Sequence, residues 1–470
     1  MAFGRIEPQY ELLNGHKKPV VYALILIGLA VLVSFVVILM FNVSWIYYSN
    51  CEEHNTSLDL STIFGPETYL NPDIILQRSK IVAYAAKSDH DVHWPANQTV
   101  NLKKRVEKSY NLLCYYSLPS GNSSNLLPSK INATLCTHII IAAAQVQNNS
   151  VYIKSSFEEN IIKQVVNLRG ANPQLKVLLS LIYFSNGKHS VDGFSSVVNN
   201  LENMEKFLEN VKTVIDNYDL DGIDIDWEFP SWPLLNLKEK YGFAKLLELL
   251  RNKLPDSILS AAVAAPLNII DSSYEIYALA SFLDFINVMT YDYHSYQWYF
   301  PITGPNSPLF SSRNEIGYFK TLNVKTSIQY WISKGIPKEK ILIGMPTYGH
   351  SFKLINKNHN GFGAPASSNG IGKDGFLSFS EACEFISNKK AVTIFDNETH
   401  TPYSYYEKDW ISFDNEISLA YKAKFAVSLG LGGAMMFSLN DDDYLGSSPC
   451  SLTEFPLTSR VKTVLNDDYL

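Results

Sequence analysis

Short apolar segments alternate with longer amphipathic segments from Asn111 to the end of the chain. The apolar segments have the length of strands, and eight are predicted as strands: Leu112–Tyr116, His138–Val146, Lys176–Ile182, Gly222–Glu228, Ile258–Ala264, Phe285–Asp292, Ile341–Tyr348 and Ala434–Leu439. Between them, apolar residues recur at steps of three and four and predict helices, among them Phe157–Leu168, Leu201–Asn217, Lys238–Leu254, Thr326–Lys334 and Ser418–Leu429. Apolar strands joined by helical crossovers form parallel sheets, and eight such units favour an α/β fold, the closed (β/α)8 TIM barrel.

The longest interruption of this alternation runs from about 350 to 412, between the seventh and eighth predicted strands. It is rich in Gly, Asn, Tyr and Ser. Loops of this length without structure of their own are uncommon in compact domains. The sequence therefore predicts a subdomain inserted into the barrel.

A separate apolar segment lies near the N-terminus. Val20–Phe41 contains no charged residue over 22 positions, which is about 33 Å of helix and matches the hydrocarbon core of a bilayer. A cleaved signal peptide usually has a shorter apolar region of ~7–15 residues and a small-residue cleavage site. Lys and Arg precede the segment whereas Glu52 and Glu53 follow it, and this bias keeps the preceding tail in the cytoplasm. We therefore expect a single-pass type II membrane protein whose main domain is lumenal or extracellular.

These features divide the chain into four parts. Residues 1–18 are predicted as a cytoplasmic tail, 19–42 as a transmembrane signal-anchor, 43–108 as a polar stalk or lead-in, and 109–470 as the barrel with its insertion. Hydrophobic residues make up 46% of the chain, which is enough for a large core. The net charge of −7 argues against a nucleic-acid partner, because binding phosphates requires a basic face.

Several expected covalent features suit a domain on the secretory side of the membrane. Acceptor sequences for N-glycosylation occur at Asn55, Asn97, Asn122, Asn132, Asn148 and Asn397. Among the five cysteines, Cys114 with Cys136 and Cys383 with Cys450 are natural pairs, by nearness in the chain or by closing the far end of the domain. Cys51 is left over, either for an intermolecular disulfide or as a free thiol.

Three carboxylic residues alternate with apolar ones in the predicted strand Gly222–Glu228. Successive side chains of a strand point to opposite faces, so Asp224, Asp226 and Glu228 are expected to share the interior face of the barrel. Neighbouring buried carboxyls cannot all ionise at low cost, so at least one should hold a proton near neutral pH, as a general acid requires. Glu228 is nearest the C-terminal end of the strand, where barrel active sites form.

This acidic segment has two other interpretations. The spacing Asn217-x-Asp219-x-Asp221 with Glu228 approaches a calcium-binding loop but lacks the first Asp. Such a loop continues into a helix, whereas Ile-Asp-Ile-Asp alternates as a strand and Pro230 follows at once. A purely structural acidic cluster is the second alternative, and burying three carboxyls without a task is costly. We therefore expect no metal and no other cofactor.

Further motifs accompany the acidic segment: Cys114-Tyr115-Tyr116, Cys136-Thr137-His138, Met289-Thr290-Tyr291-Asp292, Gly344-Met345-Pro346-Thr347-Tyr348-Gly349 and Gly432-Gly433-Ala434-Met435. With Asp221–Pro230, which matches a D-G-x-D-x-D-x-E pattern in full, they make residues 109–455 resemble glycoside hydrolase family 18, the chitinases and chitinase-like lectins. The resemblance implies a (β/α)8 barrel with an α+β insertion after strand seven. It also implies the disulfides Cys114–Cys136 and Cys383–Cys450.

The resemblance implies an enzyme that cleaves β-1,4-linked N-acetylglucosamine glycans or chitin oligosaccharides by substrate-assisted retaining catalysis, and the N-terminal apolar segment adds the expected membrane anchor. Glu228 would protonate the glycosidic oxygen while the acetamide of the substrate attacks C1. Asp226 would orient the acetamide, Asp224 would support Asp226 through a shared proton, and Tyr291 would hold the acetamide with Asp292. The substrate contacts implied by the resemblance are Tyr115, Ile182, Tyr183, Phe184, Phe229, Met289, Asp292, Tyr348 and Phe437.

The chain also departs from the pattern that it resembles. Ser180-Leu181-Ile182-Tyr183-Phe184 stands where the family has Ser-x-Gly-Gly-Trp, and two bulky residues in place of glycines are expected to narrow or reshape the glycone side. Pro119, Phe229, His350 and Phe437 stand where the family has Trp, Tyr, Arg and Trp. The acids are complete while the aromatic platform is reduced. Three functions therefore remain open: a hydrolase, a non-catalytic lectin or interaction module, and a scaffold with an empty barrel.

Overall fold

The structure is a computed structural model that describes residues 109–119, 126–183, 193–451 and 453–467. The predicted span Val20–Phe41, the stalk and Cys51 lie outside these residues. Within them, no helix combines the length and the apolar character needed to cross a bilayer. The anchor, the type II topology and an intermolecular disulfide through Cys51 therefore stay predictions.

Eight parallel strands form the closed barrel that the alternation predicts. β1 pairs with β2 on one side and with β15 on the other, which closes the sheet in the order β1, β15, β8, β7, β6, β5, β4, β2. A short β3 adds an antiparallel hairpin to the end of β2. The bounds are β1 Asn111–Ser117, β2 His138–Gln147, β3 Ser150–Tyr152, β4 Lys176–Ile182, β5 Gly222–Asp226, β6 Ile258–Val263, β7 Phe285–Val288, β8 Ile341–Pro346 and β15 Gly433–Phe437.

Helices surround the barrel, and the five predicted helices are confirmed to within a few residues at each end. The α-helices of the described residues are α1 Ser156–Val166, α2 Phe194–Val197, α3 Leu201–Tyr218, α4 Leu237–Lys253, α5 Leu267–Ser273, α6 Ile276–Phe282, α7 Val324–Lys334, α8 Phe379–Lys389, α9 Glu416–Leu429 and α10 Pro456–Leu465. Short 3-10 turns lie at Pro128–Lys130, Asn167–Gly170, Gly317–Thr321 and Lys338–Lys340. Helix starts follow capping chemistry: the Asn200 side chain accepts from the Asn203 N–H at α3, and Asn323 accepts from the Thr326 N–H at α7.

The predicted insertion is a small α+β subdomain between β8 and β15. Its antiparallel sheet has the order β10, β9, β14, β13, β12, with β11 paired to β9, and α8 follows β11. The insertion begins at Tyr348, two residues before the predicted boundary, and its last strand ends at Ser412 as predicted. The strands are β9 Tyr348–Leu354, β10 Ala366–Asn369, β11 Phe376–Ser378, β12 Val392–Asp396, β13 Thr401–Tyr406 and β14 Asp409–Ser412.

Both disulfides implied by the resemblance are present. Cys114 of β1 is bonded to Cys136, with 6.2 Å between their Cα atoms. Cys383 of α8 is bonded to Cys450, with 5.5 Å between their Cα atoms. Both separations lie within the usual range for a disulfide. The second bond therefore links the insertion to the segment after the last barrel strand.

Five of the predicted strands end one to four residues earlier than expected, and two of these ends matter for the site. Gly222–Glu228 was expected as one strand, but β5 stops at Asp226, whose last register partners are Ile182 on β4 and Ala262 on β6. Phe285–Asp292 was expected as another, but β7 stops at Val288. Asp292 has a φ of +58°, in the left-handed region that a strand does not allow. Glu228 and Asp292 therefore lie on the loops that follow β5 and β7.

Candidate active site

The floor of the candidate site is Asp224 of β5, which is fully buried inside the barrel. Its Oδ2 accepts hydrogen bonds from the Tyr115 hydroxyl at 2.7 Å and the Ser180 hydroxyl at 3.0 Å. Its Oδ1 accepts from the Ser260 hydroxyl at 2.6 Å and the Asn287 amide at 3.0 Å. The pKa of Asp224 is raised above its usual value, because burial raises it by more than these four donors, which favour the ionised form, lower it. An ionised carboxylate is an acceptor only, so the four donors match its capacity.

Asp226 lies two residues after Asp224, on the same face of β5. Its environment is very different from that of Asp224. It is 9% exposed, and its Oδ1 has no hydrogen-bond partner within the described residues. Burial first, then the charges of Glu228 and Asp224, raise the pKa of Asp226 well above its usual value. Asp226 therefore favours its protonated form. The resemblance implied a proton shared between Asp224 and Asp226, and that sharing stays a prediction.

Glu228 follows β5 and reaches solvent at the mouth of the barrel. Loss of hydration among the surrounding groups raises the pKa of Glu228, and the charge of Asp292 raises it further. A carboxylic acid with a raised pKa holds its proton to higher pH, and one that touches solvent can donate that proton to a bound molecule. The intervening Trp227 points outward instead, stacking on Phe194 at 5.4 Å between ring centres.

A tyrosine and an aspartate on the loop after β7 complete the mouth. The Tyr291 hydroxyl is 3.9 Å from the Met435 sulfur, and its ring packs edge-on to Tyr348 at 5.9 Å. The Oδ1 of Asp292 accepts a hydrogen bond from the Tyr348 hydroxyl at 2.6 Å and lies 2.8 Å from His350 Nε2. Burial, followed by the charge of Asp292, raises the pKa of Tyr291. Residues from β5, the β7 loop and β9 thus meet at the carboxyl ends of the barrel strands.

The sequence model of the Glycosyl hydrolases family 18 matches residues 111–442, which span the barrel, the insertion and all of these side chains. This chain belongs to glycosyl hydrolase family 18. Human chitinase-3-like protein 2 is 34% identical over 399 residues, which are 81% of this chain and 99% of that protein. Mouse chitotriosidase-1 is 33% identical over 372 residues, which are 76% of this chain and 78% of that protein.

A solved family 18 structure is similar throughout its length. Human YKL-39, described as a pseudo-chitinase with retained chitooligosaccharide binding properties, has a TM-score of 0.71 and 33% identity to this chain. The match covers 76% of this chain and 100% of that structure. The family therefore includes relatives of this chain that are named as chitinases and a relative that is named as a pseudo-chitinase.

The two residues that replace the family glycines after β4 take different positions. Ile182 is the register partner of Asp226, and Ser180 two residues earlier points inward to Asp224, so Ile182 lies on the inner face beside Asp226. Tyr183 has the opposite parity and packs against the outer core with Leu181. A Cβ on Gly193 would lie within contact distance of the Tyr183 ring. Ile182 is therefore placed beside Asp226, whereas the pleat turns Tyr183 towards the outer core, and the effect of either residue on a bound sugar stays a prediction.

The other predicted substrate contacts are distributed around the mouth. The Phe437 ring lies 5.5 Å from that of Tyr115 and 5.8 Å from that of Tyr291. Met289 is half-buried against the cluster inside the barrel. Phe229 lies three residues after the end of β5 and packs against the outer core. Phe184 lies outside the described residues.

Several residues of the site were not predicted from the sequence as site residues. Ser260 and Asn287 donate to Asp224, and strand parity identifies both only when the strand order is known. Phe376 comes from β11 of the insertion and stacks on Tyr348 at 4.8 Å between ring centres. Nothing in the local sequence indicates that contact, since 28 residues separate the two positions.

The remaining predicted sites fall outside this centre. Asn132, Asn148 and Asn397 are exposed, as acceptors for glycosylation must be, while Asn55, Asn97 and Asn122 lie outside the described residues. Of the carboxylates in the calcium-loop alternative, Asp219 pairs with Arg169. Asp221 pairs with Arg169 and with Lys176. These carboxylates are thus balanced by cations of the protein.

Proposed function

We propose that this chain is a membrane-anchored chitinase-like glycoside hydrolase that cleaves β-1,4-linked N-acetylglucosamine glycans by substrate-assisted retaining catalysis. The observation that carries the proposal is the unequal environment of the three carboxyls. Asp224 accepts four hydrogen bonds, Asp226 has a buried oxygen with no partner among the described residues, and Glu228 is a solvent-accessible acid with a raised pKa. This division supplies one group for support, one for the acetamide and one for proton transfer.

In the proposed reaction, Glu228 gives its proton to the glycosidic oxygen as the bond from that oxygen to C1 breaks. The acetamide oxygen of the same sugar bonds to C1 and forms an oxazolinium ion, so no protein nucleophile is needed. Asp226 faces the acetamide nitrogen, and Tyr291 with Asp292 holds the acetamide. Water then attacks C1 as the bond from the acetamide oxygen to C1 breaks, a proton of the water passes to the Glu228 carboxylate, and the β configuration is retained.

The test is hydrolysis of N-acetylglucosamine di- to hexasaccharides by the full chain and by Glu228→Gln. Glutamine keeps the shape of the acid but has no proton to give, so turnover should fall ~10²–10⁴-fold while affinity stays nearly unchanged. Glu248→Gln is the matched control, because Glu248 lies on α4 in an ion pair with Lys245 and should leave turnover unchanged. Turnover that survives in Glu228→Gln would refute the role of Glu228.

A non-catalytic lectin or interaction module is the second candidate. It is favoured by Ile182 beside Asp226, by Phe437 in place of a larger ring, and by similarity to a pseudo-chitinase that binds chitooligosaccharides. Its prediction is that the wild-type chain binds these oligosaccharides, cleaves none of them, and binds them equally well after Glu228→Gln. That result would replace the hydrolase with the lectin.

The membrane-anchored part of the proposal is supported by the uncharged segment Val20–Phe41 and by the charges that flank it. Protease treatment of intact vesicles should leave the barrel protected and remove only the short tail before the segment. Detergent should then expose the barrel to digestion. Digestion of the barrel in intact vesicles would contradict the type II topology.

A further inference from the structure

Asn306 lies in the long connection between β7 and α7, and its side chain is fully buried. Its Oδ1 accepts a hydrogen bond from the Asp292 N–H at 3.0 Å. Its Nδ2 donates to the Tyr348 carbonyl at 3.2 Å. One carboxamide thus joins the loop after β7 to the first residue of β9.

The backbone of Asn306 makes two more connections. Its N–H donates to the Ser412 hydroxyl at 2.9 Å, at the end of β14. Its carbonyl accepts from the Tyr293 N–H at 3.1 Å. Every polar group of Asn306 therefore has a partner, and these partners belong to the site loop and to the inserted subdomain.

The hydrogen bond from the Asp292 N–H is made at a residue whose backbone conformation is unfavourable. Asp292 has a φ of +58°, and residues with a Cβ seldom adopt that conformation, although Asp tolerates it better than most. Asp292 and Tyr348 also bond directly through the Tyr348 hydroxyl and Asp292 Oδ1. Asn306 thus closes a ring of hydrogen bonds around these two residues, linking them at the backbone as well as at the side chain.

We propose that Asn306 is a positioning residue that fixes Asp292 and Tyr348 relative to each other, so that the Asp292 carboxylate faces a bound acetamide. This inference rests on the proposed function, because it assigns the acetamide to Asp292 and Tyr291. Asn306 itself touches no substrate in this assignment. Its effect is transmitted through the two residues that it holds.

The adjacent residue is anchored independently, which makes the role of the Asn306 side chain testable. Ser307 donates to the Thr290 carbonyl at 2.6 Å and accepts from Lys422 at 2.7 Å. Lys422 is fully buried and pairs with Asp414 at 2.7 Å. These contacts hold the segment in place without the carboxamide of Asn306. Asn306→Ala should therefore release Asp292 and Tyr348 without releasing the whole loop.

The main experiment compares Asn306→Ala with Asn323→Ala in the full chain. Asn323 is equally buried in the same connection, but it caps α7 and does not contact the site, so it controls for a loss of stability. Both changes are made in the Glu228→Gln background to prevent cleavage. Calorimetry then measures affinity for the N-acetylglucosamine tetramer and for the glucosamine tetramer, which lacks the acetyl groups. We expect the ratio of the two affinities to fall about 10-fold in Asn306→Ala and to stay unchanged in Asn323→Ala.

A second readout needs no ligand. The charge of Asp292 contributes to the raised pKa of Glu228, so displacing Asp292 should lower that pKa. Titration of isotopically labelled glutamate carboxyls by NMR, with Glu228 intact, should show this downward shift in Asn306→Ala only. If Asn306→Ala does not fold, Asn306→Asp keeps the acceptor for the Asp292 N–H and places an acceptor against the Tyr348 carbonyl. It should show the fall in the affinity ratio to a smaller extent, and an unchanged ratio would overturn the inference; it is not used for the titration, because its added carboxylate itself raises the pKa of neighbouring acids.

The outcomes separate this inference from the function on which it rests. An affinity ratio that changes less than twofold in Asn306→Ala overturns the inference, and so does an equal fall in Asn323→Ala. If the Glu228→Gln parent binds neither tetramer, the proposed function fails. The titration then decides the inference alone, and an unchanged Glu228 pKa in Asn306→Ala overturns it.

Discussion

The floor and the wall of the candidate active site are built in opposite ways. The floor is a polar network in which Asp224 accepts hydrogen bonds from Tyr115, Ser180, Ser260 and Asn287, all of them buried. The wall is formed mainly by packing, with Ile182 beside Asp226 and aromatic rings around Phe437. A polar network tolerates few substitutions, because removing one member leaves the hydrogen-bonding group of another without a partner. A wall formed by packing can change its volume and shape.

This difference predicts which part of the site can be substituted without loss of the fold. The acid centre can persist because it also stabilises the interior of the barrel. The wall can change without disturbing that interior. The presence of the acidic residues is therefore stronger evidence for the structure of the floor than for the identity of the bound sugar.

The largest effect is expected from Asp224→Ala, which leaves four buried donors without their acceptor. Each unsatisfied buried group costs about 1–3 kcal/mol, so the free energy of unfolding should fall by at least about 4 kcal/mol. Urea denaturation measures it. Ser260→Ala removes a single donor and should cost only about 1–2 kcal/mol. A loss below about 1 kcal/mol in Asp224→Ala would show that the floor does not stabilise the barrel.

The next effect concerns Asp226, which should stabilise the protein less as pH rises. Its folded pKa is raised by burial, so wild type loses stability as pH rises from the unfolded pKa through the folded one. Asp226→Asn cannot ionise and avoids this loss. The thermal midpoint of Asp226→Asn minus that of wild type should be at least about 2 °C larger at pH 8 than at pH 3. The same substitution should lower turnover. A difference in thermal midpoint that becomes smaller as pH rises would contradict the burial of an ionising carboxyl at this position.

The wall is tested by Ile182→Ala, which removes bulk beside Asp226. If Ile182 limits the space for a sugar ring, affinity for N-acetylglucosamine oligosaccharides should rise about 10-fold, since small changes in pocket volume have effects of this size. Tyr183→Ala is the matched control, because its ring packs against the outer core. Equal responses of the two variants, or no gain in Ile182→Ala, would show that the wall beside Asp226 does not limit binding.

The smallest effect is expected from Phe437→Trp, which enlarges the aromatic face between Tyr115 and Tyr291. Added stacking contributes about 0.5–1.5 kcal/mol, so oligosaccharide affinity should rise about 2- to 10-fold. Calorimetry with the tetramer measures it. A decrease would mean that the larger ring is forced against its neighbours, and that the wall is already filled.

Much of the fold follows from the sequence alone. The alternation of apolar runs with amphipathic segments predicted all eight barrel strands and five of the helices, because burial repeats locally with the period of each element. The parity of Asp224 and Asp226 followed from the same rule. The insertion was predicted from the length of its interruption.

Only the tertiary structure decided how these elements meet. Ser260, Asn287 and Phe376 enter the site from other strands, and Ile182 lies beside Asp226 because β4 and β5 pair in that register. Strand ends depend on where neighbouring strands stop pairing, so Glu228 was placed on a strand that ends before it. Local sequence determines which faces of each element are buried, whereas contacts between distant residues form only when the barrel closes.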